Sequence, residues 1–444
     1  MSRRIAFISE HASPLALLGG RDSGGQNVYV AEVARELVCK GYRVDVFTRR
    51  DDAELPEVVV MEKGIRVIHI DAGPATFVEK EQLLGYMPQF ADEMRTFILK
   101  NDVRYELIHA HFFMSAMVAS IIKSRLSIPY VVTFHALGLV RQVHQKESDR
   151  FPKERYDIER FIVRDADIII AECPQDKQDL IDFYNTVPKK ITIIPCGYTK
   201  RELQPVSQIR ARALLGLPEN ARIVMHIGRM VARKGVDNII AALGRLKDSV
   251  PGIRLVIVGG ESDEPDPAIT PEIGRLQQLA MDTGVSNLVH FAGRKSRTLL
   301  KYYYSAADVF ITTPWYEPFG ITPLEAMACG VPVIGSRVGG IQYSVEDGKT
   351  GFLVPPKDPD ALADKINLIL SDTTLRIQMG KNAVRRVNKY FTWCKVAEAL
   401  LDVYQKTIAV DQLATARAGK SMANLALLGR FSETISRPLL LPRS

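Results

Sequence analysis

Two carboxylates, Glu317 and Glu325, flank the stretch Pro318-Phe319-Gly320-Ile321-Thr322-Pro323-Leu324. Thr322 reads as the N-cap of a helix and Pro323 as its first residue. Glu325 stands three residues after Thr322, so it would complete a capping box. The same residues are open to a second chemistry. Backbone N–H groups of Ile321 and Thr322 at a helix start can hold a phosphate, and the flanking carboxylates can accept hydrogen bonds from sugar hydroxyls. Capping accounts for Thr322, Pro323 and Glu325. It does not account for Glu317, or for Phe319-Gly320 ahead of the helix.

Further upstream, Gly228-Arg229 is followed by Arg233-Lys234-Gly235. Cations beside glycines just after a strand suit a pyrophosphate: Arg forks onto two oxygens and Lys acts as a point charge. Two such cations can take the place of a divalent metal; a solvated basic loop is the alternative. Gly24-Gly25 opens a helix after the first strand, where a bare backbone can approach a ligand, or simply turn.

Other chemistries are excluded. No two glycines are separated by a single residue, so the GxGxxG dinucleotide fingerprint is absent. Gly348-Lys349-Thr350 resembles the end of a P-loop, but Tyr343 stands where its first glycine belongs. Asp263-Glu264-Pro265-Asp266 reads as a solvated loop rather than a metal site. His109 and His111 are expected on opposite faces of a strand, a poor geometry for sharing one metal. No metal and no cofactor is expected.

These residues need elements to hold them. Short apolar, β-branched runs alternate with helical stretches: Ile5–Ser9, Val44–Thr48, Ile65–Ile70, Leu107–Ala110, Tyr130–Phe134, Asp167–Ala171 and Ile191–Pro195 as strands, with a helix over Gln26–Lys40. Near-continuous apolar runs fit parallel strands buried on both faces. An irregular stretch then leads to a second series: Ile223–Ile227, Leu255–Val258, Val289–Ala292, Val309–Thr312, Pro332–Ile334 and Gly351–Val354. Helices over Asn238–Lys247, Glu272–Met281 and Leu324–Ala328 separate some of them. The pattern predicts an α/β protein with two Rossmann-like, doubly wound domains facing across a cleft, 1–200 and 201–387. A helix over 388–410 and a weakly structured basic tail over 411–444 follow.

The chain of 444 residues carries 58 Lys+Arg against 51 Asp+Glu, a formal charge of +7. That mild excess suits an anionic small molecule and does not demand nucleic acid. No apolar run approaches the ~18 residues of a spanning helix. The opening Met1-Ser2-Arg3-Arg4-Ile5 does not read as a secretory signal. The five cysteines, Cys39, Cys173, Cys196, Cys329 and Cys394, form no CxxC pair. A cytoplasmic location is expected. The tail, with Arg417, Lys420, Arg430, Arg437 and Arg443, reads as a frayed terminus or as a basic segment that touches a membrane surface.

Glu317 and Glu325 also form the E-x7-E pattern of family-4 retaining glycosyltransferases. The sequence resembles that family through Glu317-Pro318-Phe319-Gly320, Gly228-Arg229 with Lys234-Gly235, Ser23-Gly24-Gly25-Gln26, and Asp347-Gly348-Lys349-Thr350-Gly351. The first half looks most like the branch of sucrose-phosphate synthases and D-inositol-3-phosphate glycosyltransferases. The resemblance implies a GT-B fold and a UDP-sugar donor in the second domain, without a required metal. It implies that Glu325 binds ribose, that Glu317 contacts the donor sugar, and that Arg229 and Lys234 neutralise the diphosphate with help from Gly25, Ile321 and Thr322. Phe319 and Gly320 join that donor set, Arg294 lies near the base, and His135 touches the hexose. Lys80, Arg155 and His111 fall on the acceptor side, although a pairing of Arg155 with Glu159 one helical turn on is equally open. The implied activity is retaining transfer of a hexose, glucose first, to a small polar acceptor, with or without a phosphate. The terminal helix, with Phe391 and Trp393, is implied to return to the first domain. A UDP-sugar 2-epimerase and a non-catalytic nucleotide-sugar sensor are the alternatives.

Overall fold

The protein is described here as a computed structural model covering residues 3–16, 24–146 and 149–413. Ser23 of the glycine-rich opening and the tail from 414 onward lie outside the described residues; 411–413 continue the last helix.

Two sheets organise the chain. The first contains β1 (Arg4–Ile8), β2 (Arg43–Arg49), β3 (Val58–Glu62), β4 (Ile65–Ile70), β5 (Leu107–His111), β6 (Tyr130–Thr133), β7 (Ile168–Ala171) and β8 (Ile191–Ile193). Their spatial order is β3-β4-β2-β1-β5-β6-β7-β8. All pairs are parallel except β3–β4. The inner strands are buried on both faces, which is why they read as unbroken apolar runs. β3 is the strand that sequence reading missed. It is a half-exposed edge strand with a bulge between Val60 and Glu62, and its short run Val58-Val59-Val60-Met61 is not buried on both faces as the inner strands are.

The second sheet contains β9 (Arg222–Ile227), β10 (Ile253–Val258), β11 (Val289–Gly293), β12 (Val309–Thr312), β13 (Val333–Ser336) and β14 (Gly351–Val354). Its order is β11-β10-β9-β12-β13-β14, all parallel. The direction of winding reverses between β9 and β12, and in the first sheet between β1 and β5. Open α/β sheets bind ligands at such switch points, beyond the carboxyl ends of the strands. Gly228-Arg229 follows β9, Tyr316-Glu317 follows β12, Gly24-Gly25 lies in the β1 connection, and Phe112 follows β5.

These carboxyl edges face each other. A Cβ on Gly24 would lie 3.8 Å from the Arg229 guanidinium, and one on Gly25 would lie 3.5 Å from Ile321 Cδ1. Cys173, after β7, donates through Sγ to the carbonyl of Pro318 at 3.4 Å. The last helix, over 393–413, returns to the first sheet: Trp393 meets Tyr29 edge-on at 5.5 Å, and Tyr404 Oη lies 2.6 Å from His109 Nδ1. Among the described residues no helix is long and apolar enough to cross a membrane.

Two local expectations are corrected. Thr322 is not an N-cap: the helix is Ile321–Ala328, with Gly320 at the cap, φ +90°, and no side-chain cap. Gly320 takes a conformation that favours glycine, and Glu325 forms no capping box there. His109 and His111 are not on opposite faces. Residues two apart in a strand share a face, and their rings lie 4.1 Å apart.

Candidate active site

A cavity of about 180 Å³ opens between the two sheets. Its second-sheet wall is a charge cluster. Arg229 and Arg233 line it with Glu317, while Lys234 stands behind, bonded through Nζ to Glu317 Oε2. Arg233 Nη1 approaches the same oxygen at 3.5 Å. Gly235 makes this possible. It has φ +67°, and a Cβ there would come within 2.0 Å of the Thr313 carbonyl oxygen, so only glycine lets the chain turn straight after Lys234.

The electrostatics follow from burial. Burial pushes Glu317 up, but Lys234, Arg233 and Arg229 overrule it and hold it at about 2. Burial pushes Lys234 down to about 8; Glu317 opposes this, while Arg233 and Arg229 add to it. Three cations against one carboxylate leave a net charge near +2. A diphosphate placed here would find complementary charge, already assembled, in a partly dry site. The start of helix Ile321–Ala328 borders the same cavity through Gly320 and Ile321.

The opposite wall is aromatic. His135 lines the cavity with φ +56°, its Nδ1 2.9 Å from Glu172 Oε1 and its Nε2 3.1 Å from His111 Nδ1. Burial pushes His109 and His111 well below the usual histidine range, helped by the neighbouring imidazoles. Tyr316 bridges the walls. Arg233 lies over its ring at 5.4 Å, His144 stacks on it at 5.0 Å, and Gln145 bonds its hydroxyl.

Of the residues singled out from sequence, Gly25, Lys80, His135, Arg229, Glu317, Phe319, Gly320 and Ile321 line this cavity together. Lys80 also lies 3.3 Å from Glu81. Glu325 is buried and accepts from Tyr304 Oη at 2.8 Å, with Arg297 at 3.6 Å. Thr322 is half-buried in the first turn of its helix. His111 lies behind His135, fully buried. Arg294 pairs with Asp263 at 3.1 Å, at the end of β11 and outside this cavity.

Arg155 requires a correction as an acceptor contact. It is fully buried, with Nε on Glu159 at 2.7 Å and Nη2 on the Ala136 carbonyl at 2.6 Å. Its guanidinium lies between 4.6 and 4.9 Å from the rings of Phe151, Phe113 and Phe112. Arg155 therefore backs the wall that Phe112 and Phe151 present, and does not open onto the cleft.

Sequence reading missed Glu172, Tyr316 and Arg141, which all line the cavity. Glu172 follows β7, so the rule that residues just after strands face ligands would have found it. Tyr316 follows β12 beside Glu317, so the same rule covers it; Arg141, inside a helix, carried no such signal. Among the described residues no three His, Cys, Asp or Glu side chains converge to hold a metal ion.

Two facing doubly wound sheets with a cation-lined cleft at their switch points are the architecture of a GT-B glycosyltransferase. Residues 23–200 match glycosyltransferase family 4 and residues 207–386 match glycosyl transferases group 1. The chain belongs to this glycosyltransferase family and is an enzyme of glycosyl transfer. Among individual proteins it is similar to D-inositol 3-phosphate glycosyltransferases. That of Corynebacterium jeikeium is 36% identical over 91% of this chain and 96% of the relative. That of Corynebacterium diphtheriae is 34% identical over 93% and 96%. Sucrose-phosphate synthase from Thermosynechococcus elongatus superposes with a TM-score of 0.84 at 34% identity, covering 92% of this chain and 100% of that one. HepE of Anabaena, solved with UDP-glucose, shares the fold at a TM-score of 0.70 and 20% identity, over 91% and 99%.

Proposed function

We propose that the protein is a retaining, metal-independent transferase that moves a hexose, glucose first, from UDP to a small polar acceptor. The observation that carries the reading is the convergence of Arg229, Arg233 and Lys234 on Glu317 at the switch point. A charge cluster with two positive charges in excess, beside a helix start, suits a departing diphosphate. UDP-glucose occupies HepE, which has this fold. The relatives' names point to phosphorylated acceptors, and Lys80 supplies a cation on the first-sheet side of the cavity.

In the reaction the acceptor hydroxyl oxygen bonds to the anomeric carbon on the face that the diphosphate leaves. The bond from that carbon to the phosphate oxygen breaks, its electron pair stays on UDP, and the hydroxyl proton passes to a phosphate oxygen. The protein's part is to stabilise the charge that grows on UDP and to hold the two substrates in contact.

The test has two arms. UDP-, GDP- and ADP-glucose are compared by thermal shift; a specific donor at 100 times its Kd stabilises by about 2.7 kcal/mol. UDP-glucose is then incubated with D-inositol 3-phosphate or fructose 6-phosphate, with and without EDTA, and the anomeric configuration of the product is read by NMR. Stabilisation by UDP-glucose alone, EDTA-insensitive turnover and a retained anomer are expected. No stabilisation by any UDP-sugar removes the reading.

A further inference from the structure

We infer that Glu172 is a positioning residue for transfer: its carboxylate, with His111 on the other nitrogen, fixes the tautomer and orientation of the His135 ring on the cavity wall. The inference rests on the donor reading above and deepens it.

Glu172 is nearly fully buried at the end of β7, on the cavity wall. A carboxylate in this position accepts hydrogen bonds. Two groups approach its Oε1: His135 Nδ1 at 2.9 Å and Cys196 Sγ at 3.2 Å. Cys196 comes as a thiol, because burial, and then the neighbouring Glu172, push it well above its usual range. It donates S–H. His135 must likewise donate from Nδ1, which leaves a lone pair on Nε2 when the ring is neutral.

The neighbouring ring agrees with this assignment. His135 Nε2 faces His111 Nδ1 at 3.1 Å. A lone pair on His135 requires His111 to donate from Nδ1. His111 then carries no proton on Nε2, which is buried and has no hydrogen-bond partner among the described residues. Burial keeps His111 neutral, so it has a single proton, and that proton lies where His135 needs it. The rings of His111 and His135 are nearly parallel, 19° apart, so His135 is held from two sides. Its left-handed backbone, rare for a residue with a side chain, also sets where the ring can point. Orientation of a ligand-contacting histidine by a carboxylate on its far nitrogen is a general device, worth about 10–100-fold where it has been measured behind metal-bound histidines.

Three measurements test the assignment. In the ligand-free wild-type chain labelled with 15N-histidine, the signals lost in His135→Gln identify His135. They are expected to show a neutral ring protonated on Nδ1; any other protonation pattern overturns the inference. This readout needs no donor, so it survives if the donor reading fails. Glu172→Ala is expected to lose about 10–100-fold in kcat/KM for UDP release from UDP-glucose, while UDP alone binds as in wild type. Glu172→Gln, which keeps an oxygen acceptor, is expected to recover most of the loss. Equal losses in both variants, or a parallel loss of UDP affinity, overturn the inference.

Discussion

Lys234 is held under opposed forces. Burial and two arginines work against its charge, leaving it near 8, while Glu317 retains it. A bound diphosphate adds negative charge and so favours the ammonium. The Lys234→Ala variant is expected to stay folded and to lose about 100–1,000-fold in turnover, by analogy with the loss of one oxyanion donor. Circular dichroism and a transfer assay check this, and near-normal turnover would remove the charge-stabilisation account. The pH dependence has a definite sign. The charged form attracts the donor, and it is the form lost as pH rises through about 8. The KM for UDP-glucose is expected to climb above pH 8 in wild type. It should stay flat in Lys234→Arg, whose guanidinium does not titrate there. At this scale the sequence was legible where a charge follows a strand, as with Arg229 and Lys234. It was opaque for Arg155, because which of two basic fates a side chain meets depends on its partner. Only the fold brings the aromatic trio of Phe112, Phe113 and Phe151 around it.

At the scale of elements, what makes a strand readable is burial on both faces. β5 and β12 are wholly buried, and both were legible from their apolar runs. β3 alternates between exposure and partial burial at an edge, so a short valine run there spoke for nothing in particular. Helix starts were less legible still. Thr322 and Glu325 satisfy a capping pattern, yet the helix begins earlier, because Gly320 can take φ +90° and carry the chain into it. Tight glycines of this kind place the site, and Gly235 gives the sharpest test. A methyl group in Gly235→Ala meets the Thr313 carbonyl oxygen at 2.0 Å in a left-handed backbone. Thr313 in turn donates through Oγ1 to the Gly235 carbonyl at 2.9 Å. The left-handed backbone alone accounts for about 1–3 kcal/mol, and relief of the collision must move the Lys234 turn. We expect a lowered melting temperature together with weakened donor binding, measured by calorimetry and titration. A variant as stable and as tight-binding as wild type would mean that Lys234 is not placed by this turn.

At the scale of the molecule, the cleft draws residues from both sheets, so its geometry depends on what fastens one half to the other. The helix over 393–413 is one such fastening. Trp393, Val396, Ala397, Leu400 and Tyr404 are all buried, and they join a hydrophobic cluster that contains Phe7 and Tyr29 of the first half and Phe310 and Phe319 of the second. The same helix offers a polar tie, Lys40 to Glu398 at 3.0 Å, which is largely exposed. Burial and exposure predict opposite outcomes for the two kinds of contact. Trp393→Ala removes a large side chain from a packed core and is expected to cost about 3–5 kcal/mol. Lys40→Ala breaks a solvent-screened pair and should change stability by less than about 1 kcal/mol. Urea denaturation of the two variants separates the cases. Because Trp393 sits between halves with separate outer cores, its loss should also broaden the transition or split it in two. If Trp393→Ala instead unfolds in a single sharp step at wild-type urea, the returning helix is not what joins the two halves, and the cleft must be held by contacts across it such as those of Tyr316 with His144 and Gln145.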